Sequence, residues 1–174
     1  MRATIKILPA LLICLVVTMG TAEAQNNVAA PSDAQKMFDQ MKSMAGSWQG
    51  SILNIPINIT IRLASSGTAI LHEATTDGGR PPNHEITMFY VEGDRLLATH
   101  FCDGDNRARF AGKMSADGKT SEFNFLDVTG STKGGLVKRM AFTMIDANKQ
   151  AVEFTFIRPD GKSMELRGEF ARTN

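Results

Sequence analysis

Cysteine is scarce in this sequence. The 174 residues hold two, Cys14 and Cys102, too few for a disulfide-stapled scaffold. An excess of one charge is also missing, since 19 Lys and Arg stand against 18 Asp and Glu for a net charge of +1. That balance leaves neither the basic footprint of a nucleic-acid-binding protein nor a polybasic patch for anionic lipid, so nucleic acid is not expected as a partner. Long apolar runs are absent too. The run from Ile7 to Val17, with Pro9 inside it, covers about eleven residues, well short of the roughly 20 that span a bilayer. No nucleophile elbow, Walker loop, dinucleotide fingerprint or H-E-x-x-H motif occurs. No catalytic residue is therefore assigned, and the chain reads as a binding protein sooner than an enzyme.

What is present is a composition of 43% hydrophobic and 21% charged residues, that of one globular domain. The first 24 residues have the order of a secretory signal: basic Arg2 and Lys6, the apolar run, then Ala22-Glu23-Ala24 at the cleavage positions. Cleavage is expected before Gln25, near Ala24, with export to the periplasm or the medium. Cys14 follows Ile13 in mid-run, so it is not a lipidation site. The mature chain then loses Arg2, Lys6 and Glu23, carries no net charge, holds no transmembrane segment and keeps Cys102 as its one cysteine. A domain of that size buries enough surface to fold without crosslinks.

Residues 25–31 are small and polar and read as a flexible leader. Residues 32–174 form the domain. Ser32 is a candidate helix N-cap, and Met37, Phe38, Met41, Met44 and Ala45 make one apolar stripe that ends at Gly46. Such a stripe serves as a plug packed on a core or as a promiscuous binding face. From Trp48 the apolar period changes from 3.6 to 2, with turn residues every eight to twelve positions. This predicts ten strands near 48–54, 57–64, 68–76, 84–92, 95–102, 107–115, 120–128, 137–146, 150–158 and 163–171.

Short turns make neighbouring strands antiparallel, and closure removes both edges of such a meander. The expected fold is all-β, a single up-and-down barrel of about ten strands with one N-terminal helix. Two longer loops, Asp77 to Asn83 and Thr129 to Leu136, would lie at its mouths. Alternation puts Ile57, Ile59 and Ile61 on one face, as it does Phe123 with Phe125, Val152 with Phe154 and Phe156, and Met164 with Leu166 and Phe170. A barrel of this size encloses room for a small ligand.

The helix running into Gly46-Ser47-Trp48 resembles the G-x-W opening of the lipocalins and their calycin relatives, among them the fatty-acid-binding and nitrobindin-like barrels. Thr99-His100-Phe101-Cys102, Asn106, Arg109, Phe123-x-Phe125-x-Asp127 and Asp160-Gly161-Lys162 are together similar to a group of secreted, lipocalin-like bacterial proteins of unassigned function. That group carries T-H-Y-C-x-x-x-N-x-P-R where this chain has Phe101 for the tyrosine and Ala108 for the proline. The resemblance covers residues 36–171 and implies a barrel fold without an activity.

His100 and Cys102 share a strand face, and Asp127 continues the face of Phe123 and Phe125. The cavity candidates are accordingly His100, Cys102, Arg109, Asp127, Phe123, Phe125, Phe154 and Trp48. The expected occupant is a small hydrophobic or amphipathic molecule whose carboxylate or other polar end meets His100, Arg109 and Asp127; which of Arg107 and Arg109 faces inward stays open. No cofactor is predicted outright. A metal site would draw on His100, Cys102 and one carboxylate, a haem site on His100 as axial ligand, and a nucleophile pair on Cys102 with His100. Against these stands a plainer reading: a hydrogen-bonded interior histidine, a small buried cysteine, and Asp127 paired with an arginine. His72 and His84 read the same way. From another class comes an interaction or structural module of the cell envelope, working through its outer surface without ligand.

Overall fold

A computed structural model describes residues 30–76, 83–103 and 105–173. The expected signal 1–24, most of the leader and residues 77–82 of the 77–83 loop lie outside the described residues. Among those described, no helix is long and apolar enough to cross a membrane.

Helix α1 runs from Asp33 to Lys42. Its Ser32 cap accepts a hydrogen bond from the Gln35 amide at 3.1 Å, which satisfies one of the amides that a helix start leaves unpaired. The helix ends at Lys42, earlier than Gly46. Ser43, Met44 and Ala45 close one more turn through amides donated to Gln40, Met41 and Lys42, and Gly46, at a φ of +139°, opens the first strand. Met37, Phe38, Met41 and Met44 are all buried, so the apolar stripe is a plug.

Ten strands follow: β1 Gly46–Ile52, β2 Ile55–Ala64, β3 Ala69–Thr76, β4 His84–Glu92, β5 Arg95–Cys102, β6 Asn106–Met114, β7 Thr120–Gly130, β8 Leu136–Asp146, β9 Lys149–Ile157 and β10 Ser163–Thr173. Each pairs antiparallel with the next, and β1 pairs with β10 from Ser47 opposite Thr173 to Ser51 opposite Glu169. The sheet is a closed barrel, which leaves no edge strand to cap.

Closure gives the barrel two ends. At one, α1 packs against β4, β5 and β6, Gln40 reaches the Lys119 carbonyl in the β6–β7 turn, and Arg172 donates to the carbonyls of Ala45 and Ala147. The other end carries the β1–β2, β3–β4, β5–β6, β7–β8 and β9–β10 connections. Two irregularities reshape the wall there. Arg109 pairs with Asp127 while Phe110 pairs with Phe125, so Leu126 is an extra residue in β7; likewise Val137 pairs with Phe156 and Arg139 with Thr155, making Lys138 extra in β8. Pairing of β7 with β8 extends only from Thr120–Thr143 to Asn124–Arg139. Toward the open end the two strands separate, and the Asn106 amide ties the β7–β8 loop in place by donating to the carbonyls of Ser131 and Gly135.

Candidate functional site

Inside the open half lies a cavity of about 280 Å³. Its walls are Ile57 and Ile59 from β2, Val152, Phe154 and Phe156 from β9, and Met164, Leu166 and Phe170 from β10, with Leu53 and Ile55 at the β1–β2 tip. These are the inward positions of period-2 strands, and they are apolar because each strand keeps its polar side chains for the outside. The polar lining comes from His72 and Thr76 on β3, Asn83, and Glu85 on β4. No lysine or arginine lines the cavity among the described residues.

The polar wall is set by register. His72 on β3 lies opposite Thr87 on β4, which lies opposite His100 on β5, and all three are buried. Thr87 Oγ1 and His100 Nδ1 share a hydrogen bond of 2.9 Å. Two residues nearer the mouth, the Cys102 thiol donates to Glu85 Oε1 at 3.6 Å, while His100 Nε2 stands 3.7 Å from Glu85 Oε2. The ligand atoms of Glu85, His100 and Cys102 all lie within 4.8 Å of one another, the one such group of metal-ligating side chains among the described residues.

Burial dictates the charge states. Desolvation pushes both histidines down to about 4; for His72 the neighbouring His100 adds to this. Burial also raises the Glu85 carboxyl, against the lowering effect of the Cys102 thiol. At neutral pH the His100 ring is therefore neutral and makes no ion pair with Glu85. Its Nε2, like that of His72, is buried with no hydrogen-bond partner.

The residues singled out from the sequence divide into three sets. Phe154 lines the cavity, whereas His100 and Cys102 do not line it themselves but stand next to Glu85, which does. Phe123 and Phe125 do not line it. Phe123 stacks in an aromatic group with Phe89 and Phe142, at ring-centre distances of 4.9 and 5.9 Å, and Phe125 lies at the splayed part of β7 with the Lys138 ammonium 3.5 Å over its ring. Those two expectations are corrected, and so are the remaining three. Trp48 is sealed into the closed end, its indole N–H donating to the Met44 carbonyl at 2.9 Å and Arg172 capping its ring at 4.1 Å. Arg109 and Asp127 form a bidentate pair on the outer face, 53% and 47% exposed, so neither can meet a ligand inside. The extra Leu126 shifts the alternation by one and throws Asp127 outward. Arg107 is exposed as well, so neither arginine faces inward.

Glu85 and Thr87 were not singled out by sequence reasoning. In β4 the alternation is inverted, since Glu85, Thr87 and Phe89 point in while Met88, on the other face, is 37% exposed. The available signal was the two-residue spacing of Glu85 and Thr87 with Phe89, read together with the His100–Cys102 spacing on the strand that pairs with it.

The sequence matches no protein-family model, and it matches no curated protein. Among solved structures the chain is similar to Rv2717c from M. tuberculosis, with 12% identity, coverage of 79% of this chain and 98% of that one, and a TM-score of 0.62. More distant likenesses are EF1p2_mFAP2b bound to DFHBI, at 13% identity over 79% of this chain and 98% of that one with a TM-score of 0.39, and a DUF3598-family protein of unknown function from Nostoc punctiforme, at 12% over 77% and 49% with 0.38. The likeness to Rv2717c supports the barrel fold.

Proposed function

We propose that the protein is an exported barrel that holds a small apolar or amphipathic molecule in the cavity of its open half. The observation that carries this reading is a hollow of about 280 Å³ with apolar walls, which among the described residues lies at the end of the barrel opposite α1. Small-molecule sites commonly measure about 300–1,000 Å³, so the occupant belongs at the small end of that range. Export rests on the order of residues 1–24.

The lining also bears on the chemistry of the occupant. With Arg109 outside and no cation on the described walls, a carboxylate would lose its hydration without a partner, which is costly in an apolar site. The neutral His72 ring, together with the Asn83 amide and the Glu85 carboxyl, suits a hydroxyl, amide or amine instead. The test is displacement of an apolar fluorescent probe from the metal-free full chain by alcohols and carboxylic acids of matched chain length at pH 7. Saturable displacement with the alcohol at least about tenfold stronger, roughly 1.4 kcal/mol, is expected. Preference for the acid would refute the assignment of the polar end, and the absence of any competable probe site would refute the binding reading itself.

A further inference from the structure

The Glu85–His100–Cys102 group holds more ligand chemistry than the cavity needs. Nε2 of His100 sits on a side chain 2% exposed and has no hydrogen-bond partner, an arrangement that leaves the desolvation of a polar atom uncompensated. The atom is aimed at a carboxylate 3.7 Å away, beyond hydrogen-bond reach, whose second oxygen is 3.6 Å from the Cys102 sulfur. The two distances run to different oxygens of Glu85, and with one donor atom taken from each residue the three lie within 4.8 Å of one another, so an ion would draw them together by up to about 1 Å to reach its coordination edges. Tetrahedral zinc with bonds of about 2.0–2.3 Å to nitrogen, oxygen and sulfur has ligand-to-ligand edges of roughly 3.3–3.6 Å.

We propose that Glu85, His100 and Cys102 form a binding site for a divalent ion of the zinc class, with three protein ligands and a fourth position left for water or a small molecule. The donor set selects the ion: thiolate with imidazole and one carboxylate suits borderline-soft zinc and disfavours magnesium and calcium, which take oxygen. Thr87 is a positioning residue. When its hydroxyl oxygen accepts from Nδ1–H, the Nε2 lone pair faces the other two ligands, the second-shell device common to metal-bound histidines. On binding, the ion enters, the Cys102 thiol proton leaves to solvent, and three polar groups gain a common partner. Three protein ligands and an open fourth position are the pattern of reactive zinc sites, whereas structural zinc is closed by four. Glu85 belongs to both the ion site and the cavity lining, which puts the open position beside the cavity.

The inference is independent of the proposed occupant, since the ion binds with no small molecule added. The experiment titrates the untagged, metal-free full chain with zinc and, separately, with cobalt(II), whose spectrum reports its ligands. One equivalent is expected to bind, with an intense sulfur-to-cobalt charge-transfer band in the near ultraviolet and four-coordinate ligand-field bands, and magnesium in excess is expected not to compete. Cys102→Ser should abolish the sulfur band and weaken zinc by about 100-fold or more. Thr87→Val should keep the sulfur band and weaken zinc by about 10- to 100-fold. Cobalt bound without a sulfur band, zinc affinity untouched by Cys102→Ser, or no saturable binding would each overturn the site. Should a variant fail to fold, the wild-type cobalt spectrum alone decides.

Discussion

At the end of the barrel where α1 lies, Trp48, Phe123, Phe142 and four methionines fill the interior and Arg172 closes the rim. At the other end the same alternation of inward apolar and outward polar residues leaves a hollow. The difference lies in what enters from outside the sheet. A ten-stranded barrel is wider than its own side chains fill, and a helix supplies the missing volume at one end only. The closed half follows the packing of ordinary protein interiors, where removing volume is expensive. The open half keeps unfilled space and two uncharged buried histidines.

The largest effect should come from truncating matched aromatics in the two halves. Trp48→Ala is expected to cost about 3–5 kcal/mol of unfolding free energy in urea, as for fully buried aromatics. Phe154→Ala, whose ring already borders empty space, should cost about 1–2 kcal/mol. Equal losses would erase the distinction between a packed and a hollow half.

Acid should attack the open half. Buried His72 has its pKa depressed to about 4, against about 6.5 in the unfolded chain. Between those values the unfolded state binds a proton that the folded state does not. The histidine's contribution is thus fully present above pH 6.5 and is lost as pH falls toward 4, by up to about 3 kcal/mol. Urea melts of the metal-free chain from pH 7 to 4 should show this slope, and His72→Leu should reduce it, leaving the share of His100, which burial likewise lowers to about 4. Hydrogen exchange at pH 5 should register the weakening in β3 to β5 before β7 to β8.

A smaller effect separates two small residues. A Cβ at Gly112 would already stand 3.0 Å from Met37 Cε and Phe123 Cε1, so Gly112→Leu overpacks the closed half and should cost about 1–3 kcal/mol. Ala74 borders the cavity, and Ala74→Leu should change stability by less than about 1 kcal/mol while weakening probe binding. At the bottom of the scale stands Arg109→Ala. It removes an outer-face pair and should leave both probe and zinc binding unchanged in the same titrations; a loss in either would place the site somewhere other than the open half.

The helix cap at Ser32, the plug stripe, ten strands and closure were all legible, because each follows from local periodicity and turn chemistry that one stretch of chain carries by itself. The His100–Cys102 face was legible for the same reason. Asp127 was misplaced because a single extra residue at Leu126 reverses the period-2 count, and nothing in Phe125-Leu126-Asp127 announces a bulge. Glu85 was passed over because β4 turns a carboxylate and a threonine inward while Met88 faces out, the reverse of what hydrophobicity alone would choose.

By itself, then, the sequence determined the class of fold and which strands could carry a site, since backbone alternation and turns are short-range properties. Only the tertiary structure decided which end is hollow, that Trp48 seals rather than lines, and that Glu85, His100 and Cys102 converge. Those depend on register between strands and on where the helix docks, and both are fixed by packing across the barrel, beyond the reach of any local run of residues.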